Sequence, residues 1–300
     1  MILKARHISV CICTFARPIW LKRLLEALDC QQNSSNFTFS IVVADNDARR
    51  SAEEVVTSFA KRATVATKYC CEPARNIALA RNMAIANADG EFVAFIDDDE
   101  FPKDDWLSKL VEACDKHDAA GVLGPVRPHF EETPPAWLIR GRFCERPEQP
   151  TGTIMKWNAS RTGNLLFRRS ILQGIPQPFD PAFGTGGEDQ DFFRRLEKHA
   201  CVFVWCNEAV VYETVPPARW TRTYMFKRAL LRGRNVLKHR GARPKLLMTS
   251  AIAAPAYSLL LPLTLPLGHH VFVKYAIKLC DHLGRLLASI GINPVVERQM

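Results

Sequence analysis

The stretch GEFVAFIDDDEF, residues 90–101, places three consecutive aspartates directly after five apolar residues. The run from Phe92 to Ile96 predicts a buried strand of an α/β sheet. Asp97, Asp98 and Asp99 then stand at the carboxyl end of that strand, where the ligands of such sheets bind. Adjacent carboxylates repel one another, and a hard cation among them offsets the repulsion. The stretch therefore indicates a site for Mg²⁺ or Mn²⁺ with a phosphate-bearing substrate.

The same aspartates could instead form an acidic turn that caps the next helix. Pro102 and the segment 104–107, DDWL, have the composition of a helix start. Capping requires one carboxylate or two, so three in succession favour the metal site.

Strand and helix patterns alternate on both sides of this stretch. This order predicts a mostly parallel sheet with right-handed crossovers and flanking helices. The expected strands are 7–15, 37–44, 64–71 and 92–96. One helix is expected to begin at Pro18, and two more are expected at 51–62 and 75–88. Residues 125–160 are rich in Pro, Arg and aromatic residues and are expected to be loops. Further strands are expected at 165–169, 202–205 and 209–212, with a helix after the Gly-rich turn at 184–187.

The composition suits a folded protein in a reducing compartment. The chain has 300 residues, of which 47% are hydrophobic, so one large domain or one domain with an appendage is expected. Its ten cysteines are scattered, without CxxC pairs or neighbouring histidines, so neither a zinc site nor a disulfide scaffold is indicated. The first residues lack the pattern of a cleaved leader and are read as a first strand.

The net charge of +9 comes from the C-terminal part of the chain. Between Glu213 and Asp281 there is no acidic residue, but there are twelve basic ones. Without those twelve, 28 basic and 31 acidic residues remain, so the rest of the chain carries −3. We therefore divide the chain into a domain of residues 1–218 and a basic and apolar helical tail of residues 219–300.

Two kinds of partner suit this tail. A basic patch with aromatic residues can bind nucleic acid, or it can bind an anionic membrane surface. The 28 uncharged residues between Lys245 and Lys274 favour the membrane and argue against nucleic acid. The segment 246–267 has the length of a spanning helix, but its three prolines leave a kinked, re-entrant or in-plane arrangement equally open. A proline-broken segment packed on the first domain is the third alternative.

Four segments together carry a more specific pattern. They are ISVCICTFARP (8–18), IVVADND (41–47), ARNMAIANADGEFVAFIDDD (80–99) and FDPAFGTGGEDQDFFRRL (179–196). Their order and residues resemble family 2 glycosyltransferases of the GT-A fold over about residues 7–235. The resemblance is strongest to the bacterial exopolysaccharide type, such as succinoglycan glucosyltransferases. It implies a GT-A α/β fold and a nucleotide-sugar donor.

The resemblance implies roles for residues that match the family motifs. Thr14 and Arg17 would lie along the nucleotide, and Asp45 would accept a hydrogen bond from uracil. Arg81 would lie near the phosphates. Two further nucleotide-sugar contacts are expected from Asp98 and Asn164.

In the family, a DxD motif holds the metal, so Asp99 and Asp97 are the expected ligands of Mg²⁺ or Mn²⁺. The roles of Asp97 and Asp98, which would hold the ribose or support the metal, stay open. The family's similar ED pair makes Asp189 the expected general base and Glu188 a residue that positions the acceptor.

Structural alternatives stand beside several of these roles. Glu188 and Asp189 could favour a helix N-terminus through the helix dipole. Asp45 could be a strand-end turn residue, Arg81 a solvated helix charge, and Asn164 a residue that stabilises a loop.

The sequence as a whole predicts an inverting glycosyltransferase. It would transfer a sugar, expected to be a hexose from a UDP-sugar, to a hydroxyl of a glycan or lipid-linked acceptor in exopolysaccharide or cell-surface glycan synthesis. We expect it at the cytoplasmic face of the plasma (inner) membrane, peripheral or embedded through the tail. A nucleotidyl or phosphoryl transferase and a non-catalytic, membrane-associated binding module are the alternatives.

Overall fold

A computed structural model describes residues 6–32, 37–237, 243–293 and 295. The chain divides into two compact units, one of residues 1–127 and 146–213, the other of residues 128–145 and 214–299. The boundary placed after residue 218 from composition stays a prediction.

The strands and helices follow in an order typical of an α/β protein. The strands are β1 (Arg6–Thr14), β2 (Phe37–Asp45), β3 (Ala66–Cys71), β4 (Phe92–Ile96), β5 (Glu100–Pro102), β6 (Gly121–Leu123), β7 (Val126–His129), β8 (Asn164–Arg168), β9 (Phe203–Trp205) and β10 (Val211–Thr214). The helices are α1 (Pro18–Asp29), α2 (Glu53–Ala60), α3 (Ile77–Ala86), α4 (Trp106–Lys116), α5 (Ala136–Arg140), α6 (Glu188–Lys198), α7 (Arg222–Val236), α8 (Arg243–Leu260) and α9 (His269–Ser289).

A seven-stranded mixed sheet forms the centre of the first unit, in the order β3-β2-β1-β4-β8-β6-β9. Strands β1 to β4 pair in parallel, whereas β8 lies antiparallel between β4 and β6. The predicted α/β architecture, a mostly parallel sheet with flanking helices, is confirmed. A second, three-stranded sheet has the order β5-β10-β7.

Two local expectations were wrong. The segment 125–160, expected to be loops, contains all of β7 and α5. Pro102, read as part of a helix start, ends strand β5, and α4 begins only at Trp106. Proline fits at a strand end because such a position does not require an N–H donor.

Both faces of the central sheet are buried. Leucines of α1 and Trp106 of α4 pack in one cluster with Ile8, Val10 and Ile12. On the other face, α3 and α6 contribute Ala78, Ala84, Phe192 and Phe193 to a second cluster. Because helices cover both faces, the strand ends at the edge of the sheet are where polar side chains can meet a ligand.

The second unit contains the helices α7, α8 and α9, and α7 and α8 each pack against α9. A 3₁₀ segment, Pro262–Leu267, follows α8. Residues 238–242 of the expected basic helix, with Lys238 and Arg240, lie outside the described residues. Within the ranges that the structure describes, no helix has both the length and the apolar character required to cross a bilayer.

Candidate active site

The carboxyl ends of three parallel strands bring the predicted residues to one edge of the sheet. Thr14 at the end of β1 is in register with Asp45 at the end of β2. Strand β4 pairs with the other side of β1, and the three aspartates follow it directly. The register of the sheet therefore brings Thr14, Asp45 and the three aspartates after β4 to the same edge.

Arg17 joins two of the three aspartates. Its Nη1 donates a hydrogen bond of 2.9 Å to Asp98 Oδ1 and lies 3.5 Å from Asp99 Oδ2. Thr14 Oγ1 donates to the other oxygen of Asp98 at 2.8 Å. Both carboxylate oxygens of Asp98 are therefore hydrogen-bonded, one to Thr14 at the end of β1 and the other to Arg17 just after it.

The surroundings of Asp98 disfavour its ionised form. Burial raises its pKa from the ordinary 3.8 to about 6, against the opposing effect of Arg17, and the neighbouring Asp99 adds to the rise. Burial and then Asp97 likewise raise the pKa of Glu100 well above 4.5. A cation bound among these groups would favour their ionised forms.

Arg81 of α3 links the aspartates to α6. Its guanidinium contacts Glu188 Oε1, and its Nη2 lies 3.8 Å from Asp97 Oδ1. The Arg81 and Glu188 side chains are buried, and the guanidinium lies 5.5 Å from the ring centroid of Phe179. Arg81 is therefore not a solvated helix charge.

Glu188 and Asp189 begin α6 after a left-handed glycine. Gly187 has φ 98°, a conformation that glycine adopts without strain. Glu188 is paired with Arg81, whereas Asp189 is partly exposed and lies 3.8 Å from the Nε of Arg161. Asp189 therefore has the more accessible carboxylate and Glu188 the more constrained one.

The side chain of Asp45 is bonded to the surrounding framework. One oxygen accepts from the backbone N–H of Asp47, and the other accepts from the N–H of Ala52 at 2.8 Å and from the Tyr69 hydroxyl at 3.1 Å. Asp45 is fully buried. These contacts favour the strand-end turn that was its structural alternative, and its predicted uracil contact stays a prediction.

Asn164 is also surrounded by protein groups. Its Oδ1 accepts from Trp106 Nε1 at 2.8 Å, and its Nδ2 donates to the carbonyls of Pro125 and Ala209. The residue is buried at the start of β8, in register with Ile96 of β4. The bonding favours a framework role over the predicted contact with the sugar nucleotide.

The donor set fits a hard divalent cation that shares its coordination with a substrate. Within the described residues, no group of three or more His, Cys, Asp or Glu side chains converges to hold a metal. Mg²⁺ is bound by one or two carboxylates together with substrate phosphates and water. Asp99 and the half-exposed Asp97 supply two such oxygen donors, and Glu100 Oε1 and Glu188 Oε2 beside them are buried acceptors without a hydrogen-bond partner.

Sequence reasoning did not identify three further charged residues around Asp97, which are Glu100, Arg146 and Glu213. Glu100 Oε2 accepts from the backbone N–H of Asp97 at 3.1 Å, and Arg146 Nη2 donates to Glu213 Oε2 at 2.5 Å. Burial raises the pKa of Asp97, Arg81 opposes this rise and Asp99 adds to it. Of the other two charges, Arg146 lowers the pKa and Glu213 raises it. Glu100 directly follows the aspartates and could have been considered, but Arg146 lies in an aperiodic segment that carried no signal.

The chain is similar in sequence to known proteins. The family described as Glycosyl transferase family 2 matches residues 9–175. The succinoglycan biosynthesis protein ExoM of Rhizobium meliloti is 35% identical over 229 residues, which cover 76% of this chain and 73% of that protein. A chondroitin synthase of Escherichia coli is 23% identical over 249 residues, covering 72% of this chain but only 36% of that protein.

Solved structures show the same fold. The structure of TarS residues 1–349 from S. aureus in complex with UDP-GlcNAc has a TM-score of 0.58 and 15% sequence identity. It covers 96% of this chain and 93% of the solved chain. The same TarS segment in complex with UDP has a TM-score of 0.56.

Proposed function

The chain belongs to glycosyl transferase family 2, and from that premise we propose that it is an inverting enzyme of polysaccharide synthesis. It transfers a hexose from a UDP-sugar to a hydroxyl of a glycan or lipid-linked acceptor. Its similarity to a succinoglycan biosynthesis protein supports the product class, and its fold likeness to a protein solved with UDP-GlcNAc supports the donor class.

The contact that carries the proposal is the bridge formed by Arg81 between Asp97 and Glu188. It connects the aspartates after β4 with the first turn of α6, where Asp189 is the next residue. The groups proposed to bind the diphosphate and the group proposed to take the acceptor proton are therefore parts of one polar network.

In the proposed reaction, the acceptor oxygen forms a bond to the anomeric carbon as the bond to the diphosphate breaks. Asp189 takes the hydroxyl proton, since its carboxylate is accessible and Glu188 is neutralised by Arg81. A positioned general base contributes about 10²–10⁴-fold to the rate. Direct displacement from the opposite side inverts the anomeric centre.

The diphosphate requires positive charge. Asp99 and Asp97 would hold a divalent cation, which would supply this charge and stabilise the leaving group. Arg17 fixes Asp98 and lies beside Asp99, so it orients these carboxylates toward the donor. Thr14 keeps Asp98 from rotating away.

We also propose that the enzyme acts at the cytoplasmic face of the plasma (inner) membrane. None of the ten cysteines, all of which lie in the described residues, forms a disulfide, which supports a reducing compartment. The basic C-terminal part supports attraction to anionic lipid.

The experiment is a panel of UDP- and GDP-sugars with Mn²⁺, in which thermal stabilisation and the released nucleotide product are both measured. A UDP-hexose should stabilise the protein, and UDP should be released when an acceptor is added. Asp99→Ala should remove the Mn²⁺-dependent stabilisation. Asp189→Asn should retain it but lose turnover.

Glu197→Gln is the matched control because Glu197 is exposed on the same helix as Asp189. It should behave like the unmodified protein. Release of pyrophosphate or transfer of a phosphoryl group would establish a nucleotidyl or phosphoryl transferase instead. Binding without any turnover across donors and acceptors would indicate a binding module.

A further inference from the structure

Helix α8 and the 3₁₀ segment after it expose large apolar side chains. We define six of them as the apolar stripe, and these are between 58% and 79% exposed. They are Met248, Ile252, Leu259, Leu263, Leu265 and Leu267. On α8 they recur at intervals of four and seven residues, which places them on one side of the helix.

The face of α8 that packs against α9 contains a buried polar residue. Ser250 is fully buried there, and its Oγ lies 3.1 Å from Nδ1 of His282 and 3.4 Å from Nη1 of Arg285 on α9. A helix packed in water turns its apolar side chains toward its neighbours. In α8, Met248, Ile252 and Leu259 are instead exposed, so an apolar medium outside this part of the helix is expected.

The hydroxyl groups of α8 are satisfied within the helix. Thr249, Ser250 and Ser258 each donate to the carbonyl four residues earlier, at 2.8–2.9 Å. Thr264 in the 3₁₀ segment donates to the carbonyl of Leu261. Internal bonding of this kind removes the cost of placing hydroxyls where water is scarce.

The charges around the stripe are of one sign. Exposed Lys245 stands near the start of α8, and exposed Lys274 and Lys278 lie on α9. Between Glu213 and Asp281 the chain carries twelve basic residues and no acidic one. Two copies paired on this face would bring like charges together, whereas an anionic lipid surface complements them.

We propose that the apolar stripe lies in the plane of an anionic bilayer, at the boundary between headgroups and acyl chains. The eighteen residues of α8 would cover about 27 Å of the membrane surface. Tyr257 and Lys278 fit this depth, since the Lys278 ammonium lies 5.9 Å from the Tyr257 ring centroid and both side chains suit an interface. The inference deepens the proposed location but depends on no step of sugar transfer.

The test is flotation of the full chain with vesicles of phosphatidylcholine alone or with added phosphatidylglycerol, at low and high salt. The unmodified protein should float with the anionic vesicles and bind less at high salt. Ile252→Glu combined with Leu259→Glu should weaken binding by at least about tenfold. Ile154→Glu is the matched control, because Ile154 is exposed to 68% in the other unit.

A second variant, with Lys245, Lys274 and Lys278 all changed to Gln, should weaken binding to anionic vesicles while retaining the stripe. Circular dichroism melts show whether each variant is folded. Equal binding of the stripe variant, or equal binding to neutral vesicles, would overturn the proposal. The proposal would also be overturned if the unmodified protein formed a dimer without vesicles and the stripe variant were a monomer. Retention of the protein in alkaline-extracted membranes would overturn the in-plane arrangement.

Discussion

Arg81 and Glu188, which are 107 residues apart in the chain, form a buried ion pair between α3 and α6. Breaking such a pair from one side leaves an uncompensated charge and costs about 3–5 kcal/mol. We expect Glu188→Ala to lower the free energy of unfolding by that amount in denaturant titrations.

Asp189→Asn should behave differently. Asp189 is partly exposed, so its substitution should change stability by less than about 0.5 kcal/mol. Its kcat should fall by about 10²–10⁴-fold, the contribution of a general base. A Glu188→Gln variant that folds normally but loses as much turnover as Asp189→Asn would reverse the two roles.

The buried Asp98 predicts a stability that depends on pH. Because its pKa is raised from 3.8 to about 6, the folded state binds the proton more tightly than the unfolded state. Its contribution to stability is therefore present below pH 3.8 and lost as the pH rises through about 6. The full loss corresponds to about 3 kcal/mol as an upper value.

Asp98→Asn should remove this dependence. Urea unfolding at several pH values should show the variant gaining stability relative to the unmodified protein as the pH rises from 3.8 to about 6. Nucleotide binding should weaken in the same variant, since Arg17 and Thr14 lose their shared carboxylate. A stability difference that shrinks with rising pH would contradict the prediction.

Gly163 provides space for the acidic groups next to it. A Cβ at this position would lie 2.8 Å from Glu100 Oε1 and 3.0 Å from Asp97 Oδ2. Gly163→Ala should displace Asp97 and lower kcat/KM by about ten- to a hundredfold, with the loss partly recovered at high Mn²⁺. Steady-state kinetics across Mn²⁺ concentrations measure this.

Gly174→Ala serves as its control. Gly174 has φ +77°, and a Cβ there would meet no atom within 4 Å. The control should lose about 1 kcal/mol of stability through backbone strain and keep its kinetics. Normal kinetics in Gly163→Ala would show that Asp97 is not constrained by this contact.

Much of the fold and the location of the site could be predicted because they depend on local pattern. Apolar runs ending in Asp45 and in Asp97 mark strand ends, and parallel strands bring those ends to one edge. The antiparallel insertion of β8 could not be predicted, since an apolar run does not specify the direction of pairing.

Pairings between distant side chains were also beyond the sequence. From its position in the helix pattern, Arg81 could equally well face solvent or the site. Its contacts with Phe179 and Glu188, which the sequence does not show, place it in the site. Asn164 follows a Gly next to an apolar run, which does not distinguish a ligand contact from the buried bonds it makes. Arg146 belongs to a segment without periodicity, and its partner Glu213 is 67 residues away.

Arg146 and Glu213 should shift the pH dependence of activity in opposite directions. Both act on Asp97: the Arg146 charge lowers the pKa of that carboxyl, and the Glu213 charge raises it. Without Arg146, Asp97 takes up its proton at higher pH, so the acidic limb of kcat/KM in Arg146→Gln should move to higher pH. In Glu213→Gln the limb should move to lower pH, because one repelling carboxylate is gone.

Profiles of kcat/KM against pH at saturating Mn²⁺ measure both shifts, and the unmodified profile should lie between the two. Arg127→Gln is a suitable control, since Arg127 forms a comparable ion pair with Glu148 at 2.8 Å and is absent from the charges acting on Asp97. Movement of both limbs in the same direction would mean that the pair acts on the site through folding rather than charge. Opposite movement would show that a residue pair outside the aspartate cluster contributes to the electrostatic balance at Asp97.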